Sequence, residues 1–383
     1  MNQNAFLPIN TPRPSARLIT LKELAPLEGG TPRTVTFADF AIKPLSYEDL
    51  ATAKLHRPVT IPLEMYNGRI VESDVEGIDT GKYAHFTTTL ESPFTAQAIG
   101  LVRGGWLPSA LAATREKAVL LPDRNIISKI AGQFENGIKV DSEADFLDLF
   151  ADEPIWINPL LSALEGNKRA VPTSAAARTQ LEEGVEKLRK ALPKATIMVG
   201  TRSIEGLLGL IDDTRLGLTR KQDLLRRLAP LLAAPVARRN MDARWAEALA
   251  AADEAGVPRN SLVMLAVLST IVNPQGHCAA KRVLKFHASY SNADAYNALS
   301  DLRSLEVLLS CLAFFPDYNI QLCTADRNLA LFWVGLGASD IAHDSGRMQY
   351  EVRPHAALLP PEYCDRWFED IGQNGGDTTL SAG

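Results

Sequence analysis

Two short apolar runs in this sequence each end in an aspartate and pass directly into a segment with helical spacing. Residues 118–121 are followed by Pro122 and Asp123, and residues 319–323 are followed, three positions on, by Asp326. Short buried strands that alternate with helices are typical of an α/β protein with a parallel sheet. Ligands bind such sheets beyond the carboxyl ends of the strands, so both aspartates lie where a site is expected.

A third acid is predicted on a long core helix that begins near Asn292 and stops before Pro316. Asparagine is a good N-cap, proline ends a helix, and the leucine-rich face between them indicates burial. Asp294 and Asp301 lie on this helix at a spacing that puts both carboxylates in one row. Either residue could belong to a site. We favour Asp301, because an acid in the first turn is already explained by the helix dipole.

The fourth acid, Glu165, is predicted to end a short helix with Asn158 as its N-cap and Gly166 as its terminator. A carboxylate in the last turn lies beside the negative end of the helix dipole, which costs about 0.3–1 kcal/mol when exposed. A bound cation would remove this penalty, and full solvation would make it tolerable. Asp123 also has an alternative role, because it could simply cap the helix that follows it.

The four acids supply carboxylate oxygens, which suit hard cations such as Mg²⁺ or Mn²⁺ rather than zinc. Such ions activate a water molecule and neutralise the charge of a phosphodiester transition state. We therefore predict a nuclease in which the same four residues act as metal ligands and as catalytic residues. They are Asp123, Glu165, Asp301 and Asp326.

The order of these acids resembles the PIN-like nuclease superfamily over about residues 115–345. In that family an acid follows the first strand, a second lies in a helical region, a third lines a late helix, and the last follows a Thr-x-Asp strand end. The matching stretches here are Leu120-Leu-Pro-Asp123-Arg-Asn125, Asn158-Pro-Leu-Leu-Ser-Ala-Leu-Glu165, Asn297-Ala-Leu-Ser-Asp301-Leu-Arg and Thr324-Ala-Asp326-Arg-Asn328. The resemblance implies a three-layer α/β/α sandwich around a mostly parallel sheet, and metal-dependent cleavage of RNA ahead of DNA.

Asn125 and Thr324 lie beside the acids in these stretches and are predicted substrate contacts. The sequence departs from the family pattern in two ways. Pro122 precedes the first aspartate, and the stretch between Glu165 and Asp301 is much longer than in small members of the family. The extra residues, about 200–290, are predicted to form helices that shape a groove or a partner surface.

This insertion includes a basic stretch, residues 215–239, in which Asp223 is the only acid. The cations are Arg215, Arg220, Lys221, Arg226, Arg227, Arg238 and Arg239. They could form an ordinary solvated face or a patch that contacts phosphates, and we take Arg226 and Arg227 as the candidate substrate contacts. The pattern Thr219-x-x-Gln222 is that of a capping box, so a helix is predicted from there to about residue 234.

Composition divides the chain into further parts. Residues 1–34 are rich in proline, which predicts an extended arm, and residues 35–112 are predicted to form a small β-rich or α+β domain. The PIN-like domain is predicted over residues 113–372. Residues 373–383 are predicted to be a disordered tail. The net charge of −5 excludes binding of nucleic acid by a uniformly positive surface, so a nucleic acid partner must bind a local basic patch.

Two functions remain open. The first is a Mg²⁺- or Mn²⁺-dependent RNA endonuclease, and the alternative is a catalytically inactive PIN-like scaffold that binds protein or nucleic acid. A regulatory protein or a second copy of the chain is left open as a partner. The four cysteines show no C-x-x-C spacing, and we see neither a signal peptide nor a membrane-spanning run, so we expect a cytoplasmic protein with no membrane partner.

Overall fold

In a computed structural model, the fold is described for residues 18–22, 31–140, 143–152, 154–274, 278–344 and 347–372. It is mixed α/β, as the alternation of apolar runs and helical segments predicts. Residues 1–17 and 23–30 of the predicted arm, and the predicted tail, residues 373–383, lie outside these ranges.

The N-terminal part consists of an antiparallel sheet and one short helix, which packs against the helix that begins at Arg327. Its elements are β1 (Leu18–Lys22), β2 (Thr34–Ala38), β3 (Ala41–Ile42), α1 (Tyr47–Thr52), β4 (Thr60–Ser73) and β5 (Tyr83–Glu91). The strand order is β1-β2-β4-β3, and β5 pairs with β4. Within the predicted arm, β1 is therefore paired in the sheet with β2, which begins at the last residue of the arm, Thr34.

The central sheet contains the strands that deliver the candidate site. The next strands along the chain are β6 (Ile99–Val102), β7 (Gly105–Pro108), β8 (Ala118–Pro122), β9 (Phe134–Glu135), β10 (Ile138–Lys139), β11 (Trp156–Ile157), β12 (Thr196–Ile197) and β13 (Asn319–Thr324). Among the described residues the sheet has the order β12-β11-β8-β13-β6-β7, while β9 and β10 form a separate hairpin. Neighbours from β12 to β13 are parallel, and β6 and β7 join antiparallel.

Helices surround this sheet and fill the long connection before β13. They are α2 (Ser109–Ala113), α3 (Arg124–Gln133), α4 (Leu149–Asp152), α5 (Leu160–Glu165), α6 (Ser174–Ala191), α7 (Thr201–Leu232), α8 (Met241–Ala255), α9 (Leu262–Val272), α10 (Ala279–Leu284), α11 (Asn292–Phe314), α12 (Arg327–Leu336) and α13 (Pro361–Asp370). The hairpin of β14 (Ala338–Asp344) and β15 (Arg347–Val352) lies between α12 and α13. Within the ranges given above, no helix combines the length and the apolar character needed to cross a membrane.

The division between the two parts differs from the one expected near residue 112. β6 and β7 lie before that position, but β6 is hydrogen-bonded to β13, with Leu101 opposite Leu322. All four residues of β6 are buried. A short strand that is apolar on both faces is fully buried only inside a sheet that is covered on both sides. For this reason β6 joins the central sheet.

The helix predicted to begin at Thr219 is wrong in its start, because α7 runs without interruption from Thr201 to Leu232. The hydroxyl of Thr219 donates a hydrogen bond of 3.1 Å to the carbonyl oxygen of Arg215, four residues earlier. A threonine inside a helix can bond backwards in this way, so its side chain does not mark a helix start.

Candidate active site

Asp123 and Asp326 follow the neighbouring parallel strands β8 and β13 and open α3 and α12. Asp123 accepts a hydrogen bond of 2.7 Å from the backbone N–H of Ile126. Asp326 accepts bonds of 2.7 and 3.1 Å from the N–H groups of Asn328 and Leu329. Both acids therefore cap their own helices, and both lie at the same edge of the sheet because their strands are parallel neighbours.

Thr324 connects these two acids. Its hydroxyl accepts a 3.0 Å bond from the N–H of Asp326 and also bonds to the carboxylate of Asp123. Burial raises the pKa of Asp123, and the bond from Thr324 offsets part of this rise. Thr324 has no exposed surface, so the predicted direct contact between its hydroxyl and a substrate does not fit this structure. Asn125, the other predicted contact, is exposed in the first turn of α3.

Glu165 is the last residue of α5, as predicted. The side-chain oxygen of Asn158 accepts a 3.0 Å bond from the N–H of Leu160 at the start of this helix. Gly166 ends it with a φ of 69°, in the left-handed region that favours glycine. The helix starts one residue later than predicted, with Pro159 as its N-cap in place of Asn158, and it ends at the predicted residue.

The end of α5 is held by donors from two other helices that contribute acids. The hydroxyl of Tyr296 on α11 donates bonds of 2.8 and 3.2 Å to the carbonyl oxygens of Glu165 and Leu164. Arg124 on α3 donates a 3.0 Å bond to the carbonyl oxygen of Gly166. The last carbonyls of a helix lack partners within it, so these bonds satisfy them and fix the position of Glu165.

Asp294 is engaged at the start of α11. The N-cap is Ser291, one residue before the predicted Asn292, and the carboxylate of Asp294 accepts bonds from the N–H and the hydroxyl of Ser291 at 2.9 and 2.6 Å. His287 lies 3.4 Å from the same carboxylate. Asp294 thus has a structural role, which agrees with our preference for Asp301, two turns further along the helix.

The predicted acids are electrostatic neighbours. Burial, followed by the charges of Asp123 and Asp301, raises the pKa of Glu165 to about 8. Burial, followed by the charge of Asp326, raises the pKa of Asp301 to about 7, and Asp123 adds to the rise. Burial also raises the pKa of Asp123, and the charge of Asp326 raises it further. The four acids, which are distant in sequence, are therefore near enough in the fold for their charges to act on one another.

The four acids have the ligand chemistry for a hard divalent cation, but their side chains are not arranged as the ligands of one ion. In the described part of the chain, no group of three or more His, Cys, Asp or Glu side chains is placed to hold a metal ion. The four side chains themselves offer carboxylate oxygens, and a cation would offset both the burial and the mutual repulsion that raise the pKa of Asp123, Glu165 and Asp301. Carboxylates that repel one another are expected to lie further apart than ligands of a shared ion.

Neither of the two arginines beside the site, Arg124 and Arg327, was predicted from the sequence. Arg327 donates bonds of 2.8 and 2.6 Å to the carbonyl oxygens of Leu50 and Ala51 at the end of α1, just as Arg124 does for α5. Each arginine follows a strand-end aspartate in an Asp-Arg-Asn tripeptide, residues 123–125 and 326–328. This repeat is the signal in the sequence, although the carbonyl partners are visible only in the fold.

Several cations of the basic stretch 215–239 form ion pairs. The pairs are Arg215 with Asp212 (3.0 Å), Lys221 with Glu306 (2.6 Å), Arg226 with Asp223 (3.8 Å), and Arg227 with Glu254. Glu254 and Glu306 lie on α8 and α11, so they could not be recognised as partners from the basic stretch alone. This pairing favours a solvated face, and phosphate binding by Arg226 and Arg227 stays a prediction.

Comparisons with known proteins identify no relative. No protein-family model, curated protein or solved structure matches the chain. The functional argument therefore depends on the residues and geometry of the site.

Proposed function

We propose that this chain is a metal-dependent nuclease that hydrolyses phosphodiester bonds, with RNA as the expected substrate ahead of DNA. The observation that supports this most is the group of acids beyond the ends of β8 and β13, where burial and the charges of neighbouring acids raise the pKa of Asp123, Glu165 and Asp301. An acidic pocket repels an anionic phosphodiester unless a cation lies between them. Metal-dependent phosphodiester chemistry therefore accounts for such a pocket.

Asp123, Glu165, Asp301 and Asp326 are the residues that would hold Mg²⁺ or Mn²⁺. The ion would supply an activated water molecule and neutralise the charge that develops on the phosphate. With a pKa of about 8, the carboxyl group of Glu165 holds a proton at neutral pH in the metal-free protein. A metal that binds this group must displace the proton, so metal affinity is expected to rise with pH.

The strand order also supports the finer fold proposal, a PIN-like three-layer sandwich. Parallel neighbours β12, β11, β8 and β13 are separated along the chain by helices, as in α/β proteins with helices on both faces. A cytoplasmic location belongs to the same proposal, and its support is that all four cysteines are free thiols.

An inactive scaffold that binds protein or nucleic acid is the second candidate. It is favoured by the capping bonds of Asp123 and Asp326, because a capping acid has a structural reason to be present. In a scaffold, the same acids would stabilise the fold without holding a metal.

A cleavage assay separates the two candidates. Single- and double-stranded RNA and DNA are incubated with the full chain in EDTA, Mg²⁺ or Mn²⁺, together with the Asp123→Asn and Asp301→Asn variants. We expect metal-dependent cleavage of RNA by the wild type, and a loss of about 10²-fold or more in both variants, as for removal of groups that stabilise charge in the transition state.

Asp317→Asn is the matched control. Asp317 is exposed in the turn before β13, at the opposite end of the strand from Asp326, and the substitution should leave the cleavage rate unchanged. Wild-type protein that binds nucleic acid but cleaves none of the substrates with either metal would favour the scaffold.

A further inference from the structure

The strand β5 lies at an edge of the N-terminal sheet. It pairs with β4, and among the described residues no second strand is hydrogen-bonded to its other side. Its residues alternate between exposed and half-buried along the whole strand. The half-buried residues hold β5 on the sheet, and one of them, Phe86, stacks on Phe37 with ring centroids 4.2 Å apart. The alternate residues face solvent.

The hydrogen bonds of β4 show which backbone groups of β5 point outward. Thr87 lies opposite Glu64, whose carbonyl oxygen accepts a 2.9 Å bond from the N–H of Lys43, on the other side of β4. Thr89 lies opposite Pro62, which has no N–H to exchange. Hydrogen-bonded and non-hydrogen-bonded pairs alternate along an antiparallel ladder, so the N–H and C=O groups of Thr87 and Thr89 point away from β4.

This edge lacks the features by which proteins usually prevent a strand from pairing with another chain. Such features are proline, lysine or a bulge in the edge strand, or a charge that points into the sheet. Residues 84–90 contain no proline and no Lys, Arg, Asp or Glu, and the three threonines at 87–89 favour an extended backbone. The irregularity in this pair is an extra residue of β4, between Met65 and Gly68, so β5 itself is regular.

We propose that β5 pairs with β5 of a second copy of this chain, in an antiparallel arrangement with Thr87 on the two-fold axis. This register overlaps all nine residues of both strands, and it brings the outward groups of Thr87 in the two copies together. A two-fold axis lets the same surface serve in both copies, as in most homodimers. The proposal concerns assembly and does not depend on the proposed nuclease function.

The side chains of β5 suit this partner. Glu91 is the only acid in the strand, so antiparallel pairing puts the two copies of Glu91 at opposite ends, whereas parallel pairing would put them side by side. In the antiparallel register, Glu91 lies opposite Tyr83 of the second copy. Tyr83 is 68% exposed, and its hydroxyl can donate a hydrogen bond to that carboxylate. The strand is therefore complementary to itself.

Sedimentation velocity of the full chain over a series of concentrations tests the proposal. We expect the wild type to change from monomer to dimer as the concentration rises. Thr87→Lys should stay monomeric at the same concentrations, because like charges directly opposite each other destabilise a strand pair. Thr87→Pro should also stay monomeric, because it removes an N–H that would bond only to the second copy. Thermal unfolding at low concentration shows that each variant is folded.

Thr179→Lys is the matched control. Thr179 is exposed on α6, outside the N-terminal sheet, and the substitution adds the same charge. This variant should dimerise like the wild type. The proposal would be overturned by a wild type that stays monomeric, by a Thr87→Lys protein that dimerises as readily as wild type, or by a Thr179→Lys protein that is as monomeric as Thr87→Lys.

Disulfide formation tests the register. Hydrogen-bonded residues of an antiparallel pair have Cα atoms about 5.5 Å apart, which is within the range of a disulfide. Thr87→Cys should therefore form a covalent dimer on oxidation beyond any formed by the wild type, which has four free cysteines. Thr89→Cys would lie opposite His85 of the second copy and should not. Covalent dimers of Thr89→Cys without those of Thr87→Cys would overturn this arrangement.

Hydrogen exchange shows whether anything else covers the edge. The amides of Thr87 and Thr89 should be protected only at concentrations at which the dimer forms. Protection that does not depend on concentration would mean that another segment of the same chain pairs with β5, and it would overturn the proposal.

Discussion

The hydroxyl of Tyr296 lies 2.8 Å from the carbonyl oxygen of Glu165 and donates a hydrogen bond to it. Tyr296 is on α11, five residues before Asp301, so one helix contributes an acid and also holds the end of the helix that contributes another. The two bonded residues are 131 positions apart. The position of Glu165 relative to Asp301 therefore depends on a contact that no local sequence pattern predicts.

Tyr296→Phe should destabilise the protein by about 0.5–1.5 kcal/mol, the usual net value of a buried hydrogen bond. It should also lower the cleavage rate under conditions where the variant is fully folded, because Glu165 loses a positioning contact. Unfolding in urea measures the first effect, and metal-dependent cleavage measures the second. Tyr318→Phe is the control, since no hydrogen bond of the Tyr318 hydroxyl is found among the described residues.

A Tyr296→Phe variant that unfolds at the same urea concentration as the control would show that the bond contributes nothing to stability. Equal cleavage rates in the two variants would show that Glu165 does not depend on this bond for its position.

The pH dependence of stability follows from the raised pKa of Glu165. Burial moves this pKa from its ordinary value of 4.5 to about 8, so between these values the folded protein holds a proton that the unfolded chain releases. Stability in EDTA should therefore fall as the pH rises from about 4.5 to 8. Asp301, whose pKa is raised from 3.8 to about 7, contributes with the same sign.

Glu165→Gln should reduce this decline, because glutamine has no proton to lose. Thermal unfolding in EDTA at pH 5, 6, 7 and 8 measures it, and at pH 8 the variant should melt higher than wild type, by roughly 2 °C or more. Glu183→Gln, a change of an exposed glutamate on α6, should leave the wild-type profile unchanged. A decline as steep in Glu165→Gln as in wild type would contradict the burial of an ionisable Glu165.

The elements that bear the acids were predictable because their signals are local. Residues 118–121 and 319–323 are compact apolar runs, and the strands β8 and β13 form there. Asn158 and Gly166 bracket a short helix, and the bounds of α5 agree with them to within two residues. Each of these predictions uses a cap, a turn residue or a periodicity that acts within a few positions along the chain.

The contacts between elements were not predictable, because no local sequence signal specifies them. The acidic partners of the basic stretch, Glu254 and Glu306, come from α8 and α11, and β6 joins a strand more than 200 residues later. Thr219 could bond forwards as a cap or backwards inside a helix, and only the length of α7 decides between them. Pairing across long sequence separations depends on packing, which composition and spacing do not contain.

Arg327 links the site to α1 in the N-terminal part, because its guanidinium bonds to the end of α1 while the preceding residue, Asp326, caps α12. Arg327→Gln should loosen α1 by about 1.5–3 kcal/mol, the range for hydrogen bonds from a charged group. Hydrogen exchange of the backbone amides in α1 measures this local opening. Arg57 is an exposed arginine in the same part of the chain, and the control variant Arg57→Gln should leave this exchange unchanged. Equal exchange in the two variants would show that the bonds of Arg327 do not stabilise α1.

Metal binding should be visible in the stability of the protein. An ion that binds only the folded chain stabilises it by about 2.7 kcal/mol at a hundredfold excess over its Kd, so Mn²⁺ or Mg²⁺ should raise the melting temperature of the wild type. Neither ion should do so for Asp301→Asn. A wild type whose melting temperature is the same in EDTA and in Mn²⁺ would favour the scaffold.

Two substitutions of Asp123 separate its charge from its capping bond. Asparagine is as good an N-cap as aspartate, so Asp123→Asn keeps the bond from Ile126 and removes a charge that repels Glu165 and Asp301. Without metal, it should unfold at the same or a higher temperature than wild type. Asp123→Ala removes the bond as well and should lose about 0.5–2 kcal/mol. Both variants should lack the response to Mn²⁺ in thermal unfolding. If Asp123→Asn is less stable than wild type in EDTA, the charge of Asp123 itself stabilises the fold, as it would in a scaffold.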